Sequence, residues 1–142
     1  MKIVIGADQK GTGLKRHLIT YLERSGHEVI DCTPLDDADF VTSASAVAQA
    51  ILNGDAQRGI AIDEYGAGSF MVASKHKGII CAEVSDEHSA RMTRDHNNAS
   101  MIALGSGIVG ETLAEKIVEQ FVDNDYSGGR HQIRVDMLNK MC

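Results

Sequence analysis

The chain has 142 residues, of which 43% are hydrophobic and 24% charged, and its formal net charge is −6. That is enough to bury one sizeable core, and the even spread of charge gives a single domain over residues 1–142 with no linker. No Lys/Arg block offers a phosphate-backbone footprint, so nucleic acid is excluded as the first-choice partner. The opening residues read directly as a strand and a turn, and no apolar run approaches bilayer length. A cytoplasmic protein without membrane contact is therefore expected. Three cysteines, Cys32, Cys81 and Cys142, are odd in number and far apart, which argues against both a disulfide framework and a zinc site. Six histidines are scattered without ligand spacing, so no metal and no cofactor are expected.

In chain order, Ile3-Val4-Ile5 ending in Gly6-Ala7-Asp8 reads as a strand, and Leu14 to Arg24 as a helix stopped at Ser25-Gly26. His27 to Asp31 is a second strand, followed by a loop holding the only proline, Pro34. Phe40, Val47, Ile51 and Leu52 mark a helical face from about Asp39 to Asn53, and Gly59 to Ile62 a third strand. Ala67 to Lys75 reads as a short apolar helix, Gly78 to Val84 as a strand, and Asp86 to Arg94 as a helix. Ser100 to Leu104 is the fifth strand and Thr112 to Asp123 another helix. The tail from Tyr126 to Cys142 breaks the alternation, with a short helix expected to leave the sheet. The whole predicts a three-layer α/β/α, Rossmann-like domain with a five-stranded parallel sheet and a C-terminal helical tail.

Ligands of such sheets sit outside the carboxyl ends of the strands. Chemistry is therefore sought at Asp8 and Gln9, Asp63 to Gly68, Ser85 and Asp86, and Gly105 to Gly107. Gly66-Ala67-Gly68-Ser69 follows a strand and opens a helix, where backbone N–H groups and the helix dipole favour an anion. Tight-turn geometry alone explains the same glycines. Arg130 and Arg134, one helical turn apart with His131 beside them, suit a dianion clamp, although a solvated basic tail fits them as well. His96-Asn97-Asn98, read as lying between a helix and the fifth strand, offers a proton carrier and a hydroxyl anchor, or simply a helix-end cap.

Taken together, Ile5-Gly6-Ala7-Asp8, Gly66-Ala67-Gly68, Arg94-Asp95-His96-Asn97-Asn98, Ala103-Leu104-Gly105-Ser106 and Gly128-Gly129-Arg130-His131-Gln132-Ile133-Arg134-Val135 resemble the family of B-type ribose-5-phosphate isomerases and galactose-6-phosphate isomerases. The resemblance spans nearly the whole chain. The total length and the segment from Asp63 to Met71 are most similar to one of the two subunit types of galactose-6-phosphate isomerase, the one that works with a LacB-type partner subunit.

The resemblance implies metal-independent aldose–ketose isomerisation: ring opening, removal of the C2 proton by a cysteine thiolate, an enediolate held by glycine-loop amides, and protonation at C1. It assigns His96 to ring opening with Asn97 beside it. Asp8, Gly66, Gly68, Arg130 and Arg134 fall to substrate and phosphate binding.

Two departures decide the reading. Where the family carries Cys-Gly-Thr-Gly after the third strand, this chain has Asp63-Glu64-Tyr65-Gly66, so Asp63 replaces the thiol and Tyr65 a small hydroxyl. Gln9 stands where a histidine is expected. A subunit that lends His96 and Asn97 to its partner's pocket in a heteromer follows from this. The alternatives are a self-sufficient pentose- or hexose-phosphate isomerase with Asp63 as base, and a non-catalytic sugar-phosphate-binding subunit.

Overall fold

The computed structural model describes residues 1–142. Five strands, β1 (Lys2–Ala7), β2 (Glu28–Asp31), β3 (Arg58–Asp63), β4 (Cys81–Glu83) and β5 (Met101–Gly105), form one sheet in the order β2-β1-β3-β5-β4. Every pairing is parallel. The helices are α1 (Thr12–Arg24), α2 (Phe40–Leu52), α3 (Ala67–Ser74), α4 (Glu87–Asn97), α5 (Glu111–Asp123) and α6 (Gln132–Lys140), the last preceded by a 3-10 turn at Gly129–His131.

Side chains alternate along the three central strands, and both faces are covered, which is why those strands read as nearly continuous apolar runs. Ile3, Ile5, Ile60, Ile62, Ile102 and Leu104 pack with Leu14, Leu18, Ile117 and Phe121 under α1, α4 and α5. Val4, Ala61, Met101 and Ala103 pack with Ala44, Val47, Ala48 and Ala73 under α2 and α3. The three-layer α/β/α prediction is met, with the tail helix outside the layers.

Three local expectations change. Gly78 turns with φ +88 and the Ile79 amide bonds the His76 carbonyl, so β4 pairs only from Cys81 and is shorter than its apolar run. The helix expected to stop at Arg94 continues to Asn97, so His96 and Asn97 belong to its last turn rather than to a loop. Asn98 ends it in the left-handed region (φ 53), held there by Arg94 Nη1 donating to Asn98 Oδ1 at 3.1 Å. Finally, Arg130 lies in the 3-10 turn and Arg134 in α6, so the two do not share one regular helix.

In a parallel sheet with this connectivity, α4 and α5 each start at the carboxyl ends of the strands and return to the amino ends. Eleven residues carry α4 about 16 Å along that path. The C-terminal end of α4, and the tail that follows α5, therefore lie across the sheet from the loops after β1 and β3.

Candidate functional site

At the carboxyl end, Asp8 follows β1 and its Oδ1 accepts from the amides of Lys10 and Gly11 at 2.9 and 3.1 Å, a turn that any Asp or Asn supports. Asp63 closes β3 with its side chain buried, and Oδ1 accepts from the Ser69 amide in the first turn of α3 at 3.4 Å. That carboxylate occupies a position at the helix N-terminus where an oxyanion would otherwise be held.

Gly66 caps α3 at φ +80, and a Cβ there would stand 3.0 Å from the Leu104 carbonyl carbon. A Cβ on Gly68 would meet the Phe40 ring at 2.9 Å. The backbone thus requires glycine at position 66, whereas a side chain at 68 would have to displace the Phe40 ring that covers one side of the loop. Tyr65 is 60% exposed.

The carboxyl end is acidic. Burial is the main cause that pushes Asp8 above its usual pKa, helped by the charges of Asp63 and Glu64, while backbone hydrogen bonds from Lys10 and Gly11 oppose the rise. Of the cations nearby, Lys15 is committed to Asp31 and Asp36 at 3.1 and 2.6 Å, and Arg16 pairs with Asp36 as well. None of the three cysteines reaches the loop by sequence: Cys32 follows β2, Cys81 is buried in β4, and the thiol of Cys142 donates to the Ser74 carbonyl at 3.4 Å.

The amino end has the opposite character. The Ser127 amide and hydroxyl donate to the Asp95 carbonyl at 3.1 and 3.0 Å, fastening the tail to the end of α4. This brings His131 onto His96: the rings stack with centroids 4.3 Å apart and planes 14° apart. Arg130 and Arg134 are exposed on the same tail and neither makes an ion pair. Arg94, buried beneath, donates to the Ala99 carbonyl at 2.6 Å; burial first, then the neighbouring Arg58 charge, lowers its pKa to about 10. Burial likewise lowers that of Arg58.

His96 is partly exposed and Asn97 exposed, and Asn97 also lines a largely apolar cavity of about 360 Å³ with Cys81, Leu138 and Met141. No group of three or more His, Cys, Asp or Glu side chains is placed to hold a metal ion.

The predicted site residues thus form two clusters. Asp8, Asp63, Tyr65, Gly66 and Gly68 gather at the carboxyl end; His96, Asn97, Arg130 and Arg134 gather at the amino end. One histidine and two arginines without ion pairs stand together, and the glycine loop lies at the opposite end of the strands. Arg58 and Phe40 are participants that motif reading did not place, and His131, read beside the arginine pair, is found stacked on His96, because these contacts join segments far apart in the chain.

A model of the ribose/galactose isomerase family matches residues 3–138. The chain is 64% identical to the galactose-6-phosphate isomerase subunit LacA of Clostridium acetobutylicum, covering 99% of each. It is 59% identical to that of Streptococcus mutans over the full length of both. Among solved structures, ribose-5-phosphate isomerase B of Clostridium thermocellum superposes with a TM-score of 0.94 at 38% identity, covering 99% of this chain and 96% of that one. The Mycoplasma genitalium enzyme with bound ribulose-5-phosphate gives 0.91 at 34% identity, with 98% and 94% covered. No helix here is long and apolar enough to cross a membrane.

Proposed function

The chain belongs to the ribose/galactose isomerase family, and on that premise we propose that it is the LacA-type subunit of a galactose-6-phosphate isomerase whose working pocket is completed by a LacB-type partner. The observation that carries this reading is the separation of the two clusters. An aldose–ketose isomerase needs a ring-opening acid–base group, a phosphate grip, a base for the C2 proton and donors for the enediolate oxygen. This chain offers the first two at the amino end of its sheet. At the carboxyl end the base position carries Asp63, hydrogen-bonded to α3, and the surroundings are acidic.

In the proposed mechanism Arg130 and Arg134 hold the 6-phosphate through charge-assisted hydrogen bonds. His96 passes a proton to the ring oxygen of galactose 6-phosphate as the ring opens, and Asn97 holds a sugar hydroxyl. The partner's thiolate then takes the proton from C2, its glycine loop stabilises the enediolate oxygen, and the proton returns at C1 to give tagatose 6-phosphate. A carboxylate base at Asp63 is disfavoured because its side chain is buried and its Oδ1 already accepts from the Ser69 amide at the start of α3.

The test is co-expression with the neighbouring family member from the same genome, assaying galactose 6-phosphate against ribose 5-phosphate. Turnover of galactose 6-phosphate only by the pair supports the reading. Equal turnover by this chain alone would replace it with the self-sufficient enzyme, and binding without turnover in either case with a sugar-phosphate-binding subunit.

A further inference from the structure

His131 is not assigned a role in that mechanism, although its ring stacks on that of the ring-opening residue. The His96 and His131 rings lie nearly parallel, 14° apart, with centroids at 4.3 Å. That is the geometry of an aromatic stack. The only other polar approach to His96 is the adjacent Asp95 carboxylate at 3.8 Å, beyond hydrogen-bond length and unable to fix the ring.

His131 is itself held in place. It closes the 3-10 turn Gly129–His131, and Ser127, just upstream, is bonded twice to the Asp95 carbonyl. Desolvation, followed by the charges of His96 and Arg130, pushes the His131 imidazole below its ordinary pKa, with Asp95 opposing and Arg134 reinforcing. This favours the uncharged form of His131, which lies against His96 as a flat aromatic face.

We propose that His131 is a positioning residue: its stacked ring sets the plane of His96 so that an imidazole nitrogen meets the sugar ring oxygen. The proposal rests on the role given to His96 above. It also makes one rigid unit of the proton carrier and the phosphate grip, because His131 shares its turn with Arg130.

The test uses this chain in complex with its LacB-type partner, with His131→Ala, His131→Phe and His96→Ala compared for kcat, KM and unfolding midpoint on galactose 6-phosphate. His131→Ala should lower kcat by about tenfold to a hundredfold, the cost of misplacing a catalytic group, with KM and the midpoint little changed. His131→Phe, which keeps a flat ring for stacking but no titratable nitrogen, should recover most of that loss. Normal kcat in His131→Ala alongside an inactive His96→Ala would overturn the proposal alone, as would a loss that phenylalanine does not restore. Normal kcat in both alanine variants would overturn the reading of His96 beneath it.

Discussion

The Asp63 carboxylate is bonded to the Ser69 amide in the first turn of α3, with only 7% of the residue exposed. The residue that the family resemblance sets at the base position thus serves as an internal anion for a helix N-terminus. Asp63→Asn keeps the acceptor oxygen and removes the charge. Its thermal stability should fall by about 0.3–1 kcal/mol, the usual worth of a charge at a helix end. A calorimetric loss several times larger would mean that Asp63 supports more than this contact.

Asp8 behaves in the opposite sense. Its folded pKa is raised, chiefly by burial, so the folded chain binds a proton more readily than the unfolded one and loses stability as the pH rises through that window. Asp8→Asn retains Oδ1 for the amides of Lys10 and Gly11 and removes the charge beside Asp63 and Glu64. The variant should unfold at a higher temperature than the parent at pH 7, and the difference should vanish once Asp8 is protonated in both states of the parent. A lower midpoint at pH 7 would show that the Asp8 charge has a stabilising partner.

Lys15 is 1% exposed, and its ammonium reaches the Thr33 carbonyl at 2.7 Å as well as Asp31 and Asp36, tying α1 to the loop after β2. The hydrogen bond from Lys15 is the first cause that holds the Asp36 pKa below its usual value. A depressed carboxylate pKa contributes stability above the unfolded value of about 3.9 and loses it as the pH falls through the folded one. Lys15→Met should therefore lower the unfolding midpoint by several degrees at pH 7 and flatten the acid limb of the stability profile. Arg16→Ala, which removes an exposed partner of the same Asp36, should change little. Melting curves from pH 2 to pH 7 distinguish the two.

Arg130 and Arg134 are exposed and make no ion pair, so replacing either removes a charge without breaking a salt bridge. In the complex, Arg130→Ala or Arg134→Ala should weaken substrate binding by about 1.5–3 kcal/mol, the worth of one hydrogen bond to a charged group. Because the arginines are exposed, the lower end of that range is expected. Steady-state KM at low ionic strength is the measurement, and unchanged values in both variants would remove the phosphate role from the tail.

The alternation of short apolar runs with amphipathic segments was sufficient to read the layers, because buried parallel strands and surface helices differ in length and period. Boundaries failed where a tertiary contact decided them. Periodicity puts the α4 end at Arg94, yet Arg94 itself bonds Asn98 and Ala99 and the helix runs on to Asn97. Hydropathy puts the β4 start at Gly78, where a turn bond from the Ile79 amide to the His76 carbonyl prevails. Each site residue was readable as a type, but its company was not. That His96 lies across the sheet from Gly66 was implicit in the alternation, since a residue just before a parallel strand sits at its amino edge. The His96–His131 stack was not, because it depends on Ser127 meeting Asp95.

The central claim is that this chain supplies the ring-opening half of a shared pocket, and turnover of galactose 6-phosphate by the complex carrying His96→Ala tests it most directly, with Asp63→Asn measured beside it. His96 is a partly exposed residue on the last turn of α4 and contributes little to the core, so the complex should still assemble. Its turnover should drop by about two to four orders of magnitude, the range for general acid–base catalysis, while Asp63→Asn stays near the parent rate. Near-normal turnover for His96→Ala together with a large loss for Asp63→Asn would contradict the account and show that this chain runs its own chemistry with a carboxylate base.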